Sequence, residues 1–291
     1  MSIEILKVNN LSKYYGDIRG VENVSFSLNE GEIFGFIGPN GAGKSTTIRR
    51  IMNLINKNEG KVYVYGKEFK KQDSEIKSLI GYLPSEINLY DDLTVKQILD
   101  YHASFYKKDV RARKEELVNR LQLDVTKRIE ELSLGNLKKL GIVLAFMHEP
   151  KLLILDEPIS GLDPLMQEDF YRLLKEEKAR GTAIIYSTHI LSEISKICDR
   201  VGIIKDGNLL KVETIATLTK KQLNLVTIQS KNIEKIVKEM KLKPEYIDDN
   251  TIKFKNALTP NKLMESLSNY KIDRLLIEEA TLEEVFLHYY K

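Results

Sequence analysis

The segment Glu32-Ile33-Phe34-Gly35-Phe36-Ile37-Gly38-Pro39-Asn40-Gly41-Ala42-Gly43-Lys44-Ser45-Thr46 decides the fold. Its apolar start reads as a buried strand and its end as the opening of a helix. Between them, Gly38 to Ser45 fit the phosphate-loop spacing G-x-x-x-x-G-K-[S/T]. Glycines let the backbone curl so that successive N–H groups point inward at phosphate oxygens. Lys44 is expected to reach the β- and γ-phosphates and Ser45 to ligate Mg2+. The helix starting near Lys44 aims its positive end at the anion. Gly38, Pro39, Asn40, Gly41, Ala42, Gly43 and Thr46 complete the expected nucleotide-contacting set. The competing reading is a glycine-rich turn with an incidental lysine. It leaves the strand before and the helix after unexplained.

Other elements follow outward from this loop. Glu4–Val8 and Val21–Leu28 alternate like strands, and Leu152–Leu155 and Ala183–Tyr186 are continuous apolar runs flanked by helical stretches. That alternation predicts an α/β sheet with parallel central strands. The run Leu152–Leu155 delivers Asp156 and Glu157 at its C-terminal end, where such sheets bind ligands. Asp156 there suits Mg2+ coordination and Glu157 suits polarising a water. Leu93 to about Met147 is charged and helix-periodic, predicting a helical subdomain over about residues 87–147 inserted into the sheet. Val201–Ile204 and Leu209–Val212 flank Asp206-Gly207, the pair of a tight hairpin.

Residues 1–217 therefore read as one domain and 224–291 as a second. In the latter, strand-like Leu225–Gln229, helical Ile233–Met240, strand-like Tyr246–Asp248 and Thr251–Phe254, helical Asn261–Leu267 and strand-like Leu275–Glu278 follow in order. This β-α-β-β-α-β pattern predicts a small ferredoxin-like α+β domain, with a last helix over Thr281–Tyr290.

Composition narrows the class. Of 291 residues, 45 are basic and 42 acidic, interspersed, which is a solvated surface without the basic stripe of a nucleic-acid binder. Cys198 is the single cysteine, so no intramolecular disulfide forms, and the expected compartment is the cytoplasm. A spanning helix needs about 20 predominantly apolar residues, and no run approaches that.

Four further segments occur in order with the phosphate loop and the acidic strand. They are Lys13-Tyr14-Tyr15-Gly16, Leu132-Ser133-Leu134-Gly135-Asn136, Ser160-Gly161-Leu162-Asp163 and Ser187-Thr188-His189. They resemble, respectively, the A-loop, signature, D-loop and switch histidine of the ABC (ATP-binding cassette) ATPases. The resemblance covers about residues 4–215 and implies a P-loop, RecA-like core with an antiparallel β subdomain and a helical subdomain. It implies adenine stacking by Tyr15, a catalytic pair Glu157 and His189, and Mg2+ held through Ser45 and Asp156. It also implies head-to-tail ATPase pairs, identical or mixed. In these, Ser133, Gly135 and Asn136 of one subunit face the ATP of the other, and Asp163 communicates across the pair. A helix is expected to begin after Gly135, and Asp163-Pro164 also fit an N-cap and first turn.

Two departures stand out. The family usually places a glutamine where Ser85 stands, to contact Mg2+ and water. A serine is shorter, so its direct metal contact is left open, with a bridging water or Glu86 as alternatives. The signature carries Leu134 and Asn136 in place of the common Gly and Gln. Partner-dependent or weak hydrolysis is one consequence the resemblance allows.

The Gly81-Tyr82-Leu83-Pro84 segment, the Ser-Leu-Gly signature and the stretch Ala280–Leu287 resemble bacterial exporter ATPases of the bacitracin-resistance, lantibiotic-immunity and phenol-soluble-modulin type. The implied role is to power export of a peptide or antimicrobial-type substrate through separate permease subunits, from the cytoplasmic face of the membrane. A translation-type ABC protein would carry two phosphate loops and a repair-type one a long coiled-coil insertion, and neither is here. A non-catalytic regulatory subunit is disfavoured by Glu157 and His189. The apolar stretch Tyr82, Leu83, Ile87, Leu89 and Tyr90 is expected to be a connecting loop near the family's permease-docking groove, with Ile87 or Tyr90 exposed.

Overall fold

The computed structural model describes residues 3–56, 59–220, 224–240, 242–256 and 259–279. Two long antiparallel strands open the chain, β1 (Glu4–Tyr15) and β2 (Ile18–Asn29). The buried residues of β1, Ile5, Leu6, Val8, Leu11 and Ser12, do not alternate strictly. Irregularities in its pairing with β2, between Glu4 and Leu6 and between Val8 and Leu11, re-aim the side chains. β3 (Ile33–Ile37) is buried along its whole length and leads through the glycine-rich loop into α1 (Lys44–Ile51). β4 (Glu59–Val64) pairs antiparallel with β1, and β5 (Lys67–Glu68) pairs with β4. The short α2 (Ser74–Lys77) is capped by the Asp73 side chain and precedes β6 (Ile80–Leu83).

The apolar stretch expected to be a connecting loop is thus partly a strand. Ile80 and Leu83 are buried in β6, which pairs in parallel with β7 (Leu152–Asp156). Four residues are too few for a visible period, and Gly81 within the strand and Pro84 just after it mimic a loop. Next comes the helical insertion: α3 (Val95–Ala103), α4 (Arg111–Arg120), a 3-10 turn at Ile129–Glu131 and α5 (Leu134–Phe146). Thr94 and Gln97 form a reciprocal capping box that starts α3. After β7 come α6 (Pro164–Ala179), β8 (Ala183–Thr188), α7 (Leu191–Ile197), β9 (Arg200–Lys205), β10 (Asn208–Thr214) and α8 (Ile215–Lys220). Arg120 of α4 bonds Asp169 at 2.9 Å and Glu176 at 2.6 Å, and Arg113 pairs with buried Glu177, so the insertion is pinned to α6 by charge.

The ten strands form one sheet in the order β5-β4-β1-β2-β10-β9-β3-β8-β7-β6. Strands β9, β3, β8, β7 and β6 are mutually parallel, and the rest of the sheet is largely antiparallel. Both faces of β3, β7 and β8 are covered, as their unbroken apolar runs require. In the core, Phe26 of β2 stacks on Phe34 of β3 with ring centres 4.8 Å apart, beside Ile48 and Ile51 of α1. Each such fully buried side chain contributes about 1.5–3 kcal/mol. At the β9–β10 hairpin, Asp206 (φ 47°) and Gly207 (φ 78°) both take the positive φ that an Asp-Gly tight turn demands.

The chain divides into two units, Met1–Ile215 and Ala216–Lys291. The second contains β11 (Asn224–Gln229), α9 (Ile233–Glu239), β12 (Glu245–Asp248), β13 (Thr251–Asn256), α10 (Pro260–Leu267) and β14 (Arg274–Glu279). Its four strands run antiparallel in the order β12-β13-β11-β14, the split β-α-β arrangement of ferredoxin-like folds. Val226, Ile228, Ile236, Ile252, Phe254 and Leu263 fill its own core. The expected helix Thr281–Tyr290 and the stretch Ala280–Leu287 lie outside the described residues.

Candidate active site

The C-terminal ends of the parallel strands converge on a cavity of about 490 Å3. Its lining includes Asn40, Gly41, Gly43, Lys44, Ser45 and Thr46 from the loop after β3 and the start of α1. Ser85 and Glu86 come from beyond β6, Glu157 and Ser160 from beyond β7, and His189 from beyond β8. Arg19 and Gly20 of β2 close one side.

The loop is shaped by its glycines. Gly41 (φ 80°) and Gly43 (φ 105°) sit where a side chain strains the backbone, and a Cβ on Gly43 would press on Val21 and on the Gly20 carbonyl. α1 begins at Lys44, with its free N–H groups turned toward the loop. Lys44 is buried, and Nζ donates to the carbonyls of Gly38 (2.7 Å) and Pro39 (3.2 Å). The same ammonium stands 3.6 Å from the Glu157 carboxylate. Burial pushes the Lys44 pKa down, and the carboxylates of Glu157 and Asp156 oppose that shift.

Glu157 is the hub. Its carboxylate faces Lys44 on one side, and on the other lies 3.0 Å from Nδ1 of His189. Its backbone is left-handed (φ 49°), unusual for a non-glycine residue, and its N–H donates to the Ser187 carbonyl at 3.1 Å. Asp156, buried beside it, accepts at Oδ1 from the Ser187 hydroxyl at 2.9 Å. That bond orients the carboxylate and leaves Oδ2 free of that contact. Among the described residues no group of three or more His, Cys, Asp or Glu forms a metal cage. Mg2+ needs none, because it is held by one or two carboxylates with waters and substrate phosphates. A hydroxyl at Ser45 and one oriented carboxylate at Asp156 fit that habit.

Gly38, Pro39 and Ala42 of the loop do not themselves line the cavity, and the other expected residues fall in two places. Tyr15, 47% exposed, does not line the cavity. Its ring abuts Gly20, which does, and Lys13 lies over the ring at 4.8 Å. Ser133, Gly135, Asn136 and Asp163 stand apart from the cavity at two helix starts. Ser133 caps α5, accepting from the Asn136 N–H at 3.3 Å, so the helix begins at Leu134, ahead of the expected start after Gly135. A serine oxygen satisfies an otherwise orphaned N–H, which fixes the boundary two residues earlier. Asp163 caps α6 in the same way, accepting from Met166 N–H at 3.0 Å with Pro164 in the first turn. Gly135 packs against the Gly161 carbonyl and Leu134 against Gly161, bringing the two segments into contact.

Sequence reasoning missed Ser187 as the Asp156 partner and passed over Lys138 altogether. Lys138 is buried, and its Nζ donates to the carbonyls of Ser85 (3.0 Å) and Glu157 (3.4 Å). The available signal was a lysine on the otherwise apolar face of α5, in Lys138-Lys139-Leu140-Gly141-Ile142-Val143.

A phosphate loop at the mouth of a parallel sheet, a strand-end Asp-Glu pair and a histidine on the glutamate define a P-loop nucleotide hydrolase. The comparisons with known proteins are narrower. The ABC transporter family profile matches residues 21–160. The bacitracin transport ATP-binding protein BcrA of Bacillus licheniformis is 37% identical over 80% of this chain and 77% of that protein. The linearmycin resistance ATP-binding protein LnrL of Bacillus subtilis is 32% identical over 98% of this chain and 97% of that protein. The dimeric structure of MJ0796, a bacterial ABC transporter cassette, superposes with a TM-score of 0.66 at 26% identity. It covers 72% of this chain and 99% of that one. The chain belongs to the ABC transporter ATP-binding family, and it is an ATPase subunit of that kind.

Proposed function

We propose that this subunit hydrolyses Mg-ATP through Glu157 and His189 and powers a bacterial exporter of peptide or antimicrobial-type cargo. The observation that carries the chemistry is the Glu157 carboxylate, placed between Lys44 (3.6 Å) and His189 (3.0 Å) at the cavity. Lys44 and the loop amides hold the phosphates. Glu157 accepts a hydrogen bond from the attacking water and draws off its proton, and His189 keeps the carboxylate oriented. Bound Mg2+, for which Ser45 and Asp156 are the protein ligands, supplies charge neutralisation on the phosphates.

Ser133, Gly135 and Asn136, which do not line this subunit's own cavity, present a helix start to the nucleotide of a second subunit, and Asp163 lies beside them at the start of α6. Closure of such a head-to-tail pair is the step that is passed to permease subunits. No described helix is long and apolar enough to cross a membrane, so docking on a permease is what brings the chain to the cytoplasmic face. The resemblance to bacitracin transport and linearmycin resistance proteins supports the exporter reading.

Glu157→Gln tests the chemistry. The amide cannot take the water's proton, so turnover is expected to fall by about a hundredfold or more while ATP affinity is kept. Near-parental hydrolysis by Glu157→Gln would remove Glu157 as the base. For the cargo, co-expression with a candidate permease that co-purifies with it, in a sensitive bacterium, should raise tolerance to bacitracin-type peptides, and Glu157→Gln should cancel the gain.

A further inference from the structure

We infer that Lys138 is a positioning residue for hydrolysis, its buried ammonium clamping the backbone at Ser85 and Glu157 to α5, the helix that begins with Ser133. The inference rests on the role of Glu157 proposed above.

The contacts are specific. Lys138 is 2% exposed, and Nζ donates to the Ser85 carbonyl at 3.0 Å and to the Glu157 carbonyl at 3.4 Å. Ser85 lies just beyond β6 and Glu157 just beyond β7. These strands are parallel neighbours paired at Leu83 and Leu155. Both residues line the nucleotide cavity. One side chain from the helical insertion therefore holds the two loops that carry the departure at Ser85 and the catalytic carboxylate.

Space-filling does not account for a lysine here. An ammonium taken from water is unfavourable unless paired, and burial does push the Lys138 pKa down, with Asp156 and Glu157 opposing. A methionine of similar length would fill the space without that penalty. What the ammonium adds is two directed donors. They meet a backbone that needs holding: Glu157 sits at φ 49°, a conformation disfavoured for a side-chain-bearing residue. Its N–H donates to the Ser187 carbonyl, and its C=O accepts from both the Ser160 N–H (3.3 Å) and Lys138 (3.4 Å); Lys138 is the one of these partners that ties the residue to α5. The backbone from which the carboxylate reaches Lys44 and His189 is thereby held in place.

The same helix starts with the Ser133 cap, and Leu134 and Gly135 rest on Gly161, four residues beyond Glu157. The α5 start is thereby linked to the Glu157 segment by two contacts, one at Gly161 and one through Lys138.

The test compares the full chain with Lys138→Met and Lys138→Gln in steady-state Mg-ATP hydrolysis, fluorescent-ATP binding and urea unfolding. Lys138→Met is expected to lose about tenfold or more in kcat with KM and nucleotide affinity held within about threefold. Lys138→Gln, which keeps amide donors, is expected to regain part of that loss. A Lys138→Met kcat within about twofold of the parent overturns the inference. So does a Lys138→Gln no better than Lys138→Met, or a fall in kcat matched by equal losses of affinity and stability. Glu157→Gln run in parallel separates the two claims. If it turns over normally, the role of Glu157 fails. If it is inactive while Lys138→Met is fully active, only the clamp fails.

Discussion

The imidazole of His148, between α5 and β7, stacks on Tyr106 with ring centres 4.2 Å apart, and its Nε2–H donates to the Ile80 carbonyl at 3.2 Å. Nδ1 then carries the lone pair, buried without a partner. Burial lowers the pKa from 6.5 to about 4. The Ile80 carbonyl opposes the shift, and His102 and Lys108 add to it. Above pH 6.5 the ring is neutral in both states and the native state keeps its full stability. As pH falls from 6.5 toward 4, the unfolded chain takes up a proton that the folded chain refuses, so stability is lost across that window, by about 3 kcal/mol in all. His102, also lowered by burial, acts in the same direction. Urea unfolding at pH 7.5 and pH 5 should therefore show a drop in stability that His148→Gln visibly reduces. An undiminished drop in that variant would assign the acid sensitivity to other groups.

Among the elements, the contact between β6 and α5 is the tightest constraint on the site, because it sets the distance from Lys138 to the strand ends. Gly81 of β6 lies where a Cβ would overlap the Ala145 carbonyl oxygen of α5 and stand 2.9 Å from the Pro150 ring. Gly81→Ala must push the helix off the sheet and is expected to destabilise by about 1–3 kcal/mol, read from the urea midpoint, with weakened ATPase as the second sign. A variant of parental stability would mean that α5 yields without strain. β6 was also the element least legible in the sequence, since four residues containing a glycine and followed by a proline carry no period. The long buried runs β3, β7 and β8 were legible because doubly covered parallel strands must be continuously apolar. The β9–β10 turn was legible because Asp-Gly meets a requirement for positive φ. At the site, residues whose chemistry is local to a motif, such as Lys44, Asp156 and Glu157, could be read directly. Lys138 and Ser187 could not, because their partners lie 53 and 31 residues away in the chain and only the sheet order brings them together.

At the scale of the whole molecule, each unit has its own core, and the first contains every residue assigned to nucleotide chemistry. What that unit must still do is transmit force to a permease, and the surface near Ser85 is where the family resemblance places the contact. The structure sorts the two residues expected there. Ile87 is half-buried, and its side chain presses on Gly141 of α5, leaving no room for even a Cβ. Tyr90, in the loop before α3, is 66% exposed, so its ring is accessible to a partner. Ile87→Asp should therefore act through folding, placing a carboxylate against the insertion and lowering the unfolding midpoint. Tyr90→Asp should leave the midpoint and ATP binding of the isolated chain unchanged, while weakening co-purification with the membrane subunit by about tenfold or more and lowering export accordingly. Full partner binding and export by Tyr90→Asp would move the docking surface elsewhere on the insertion.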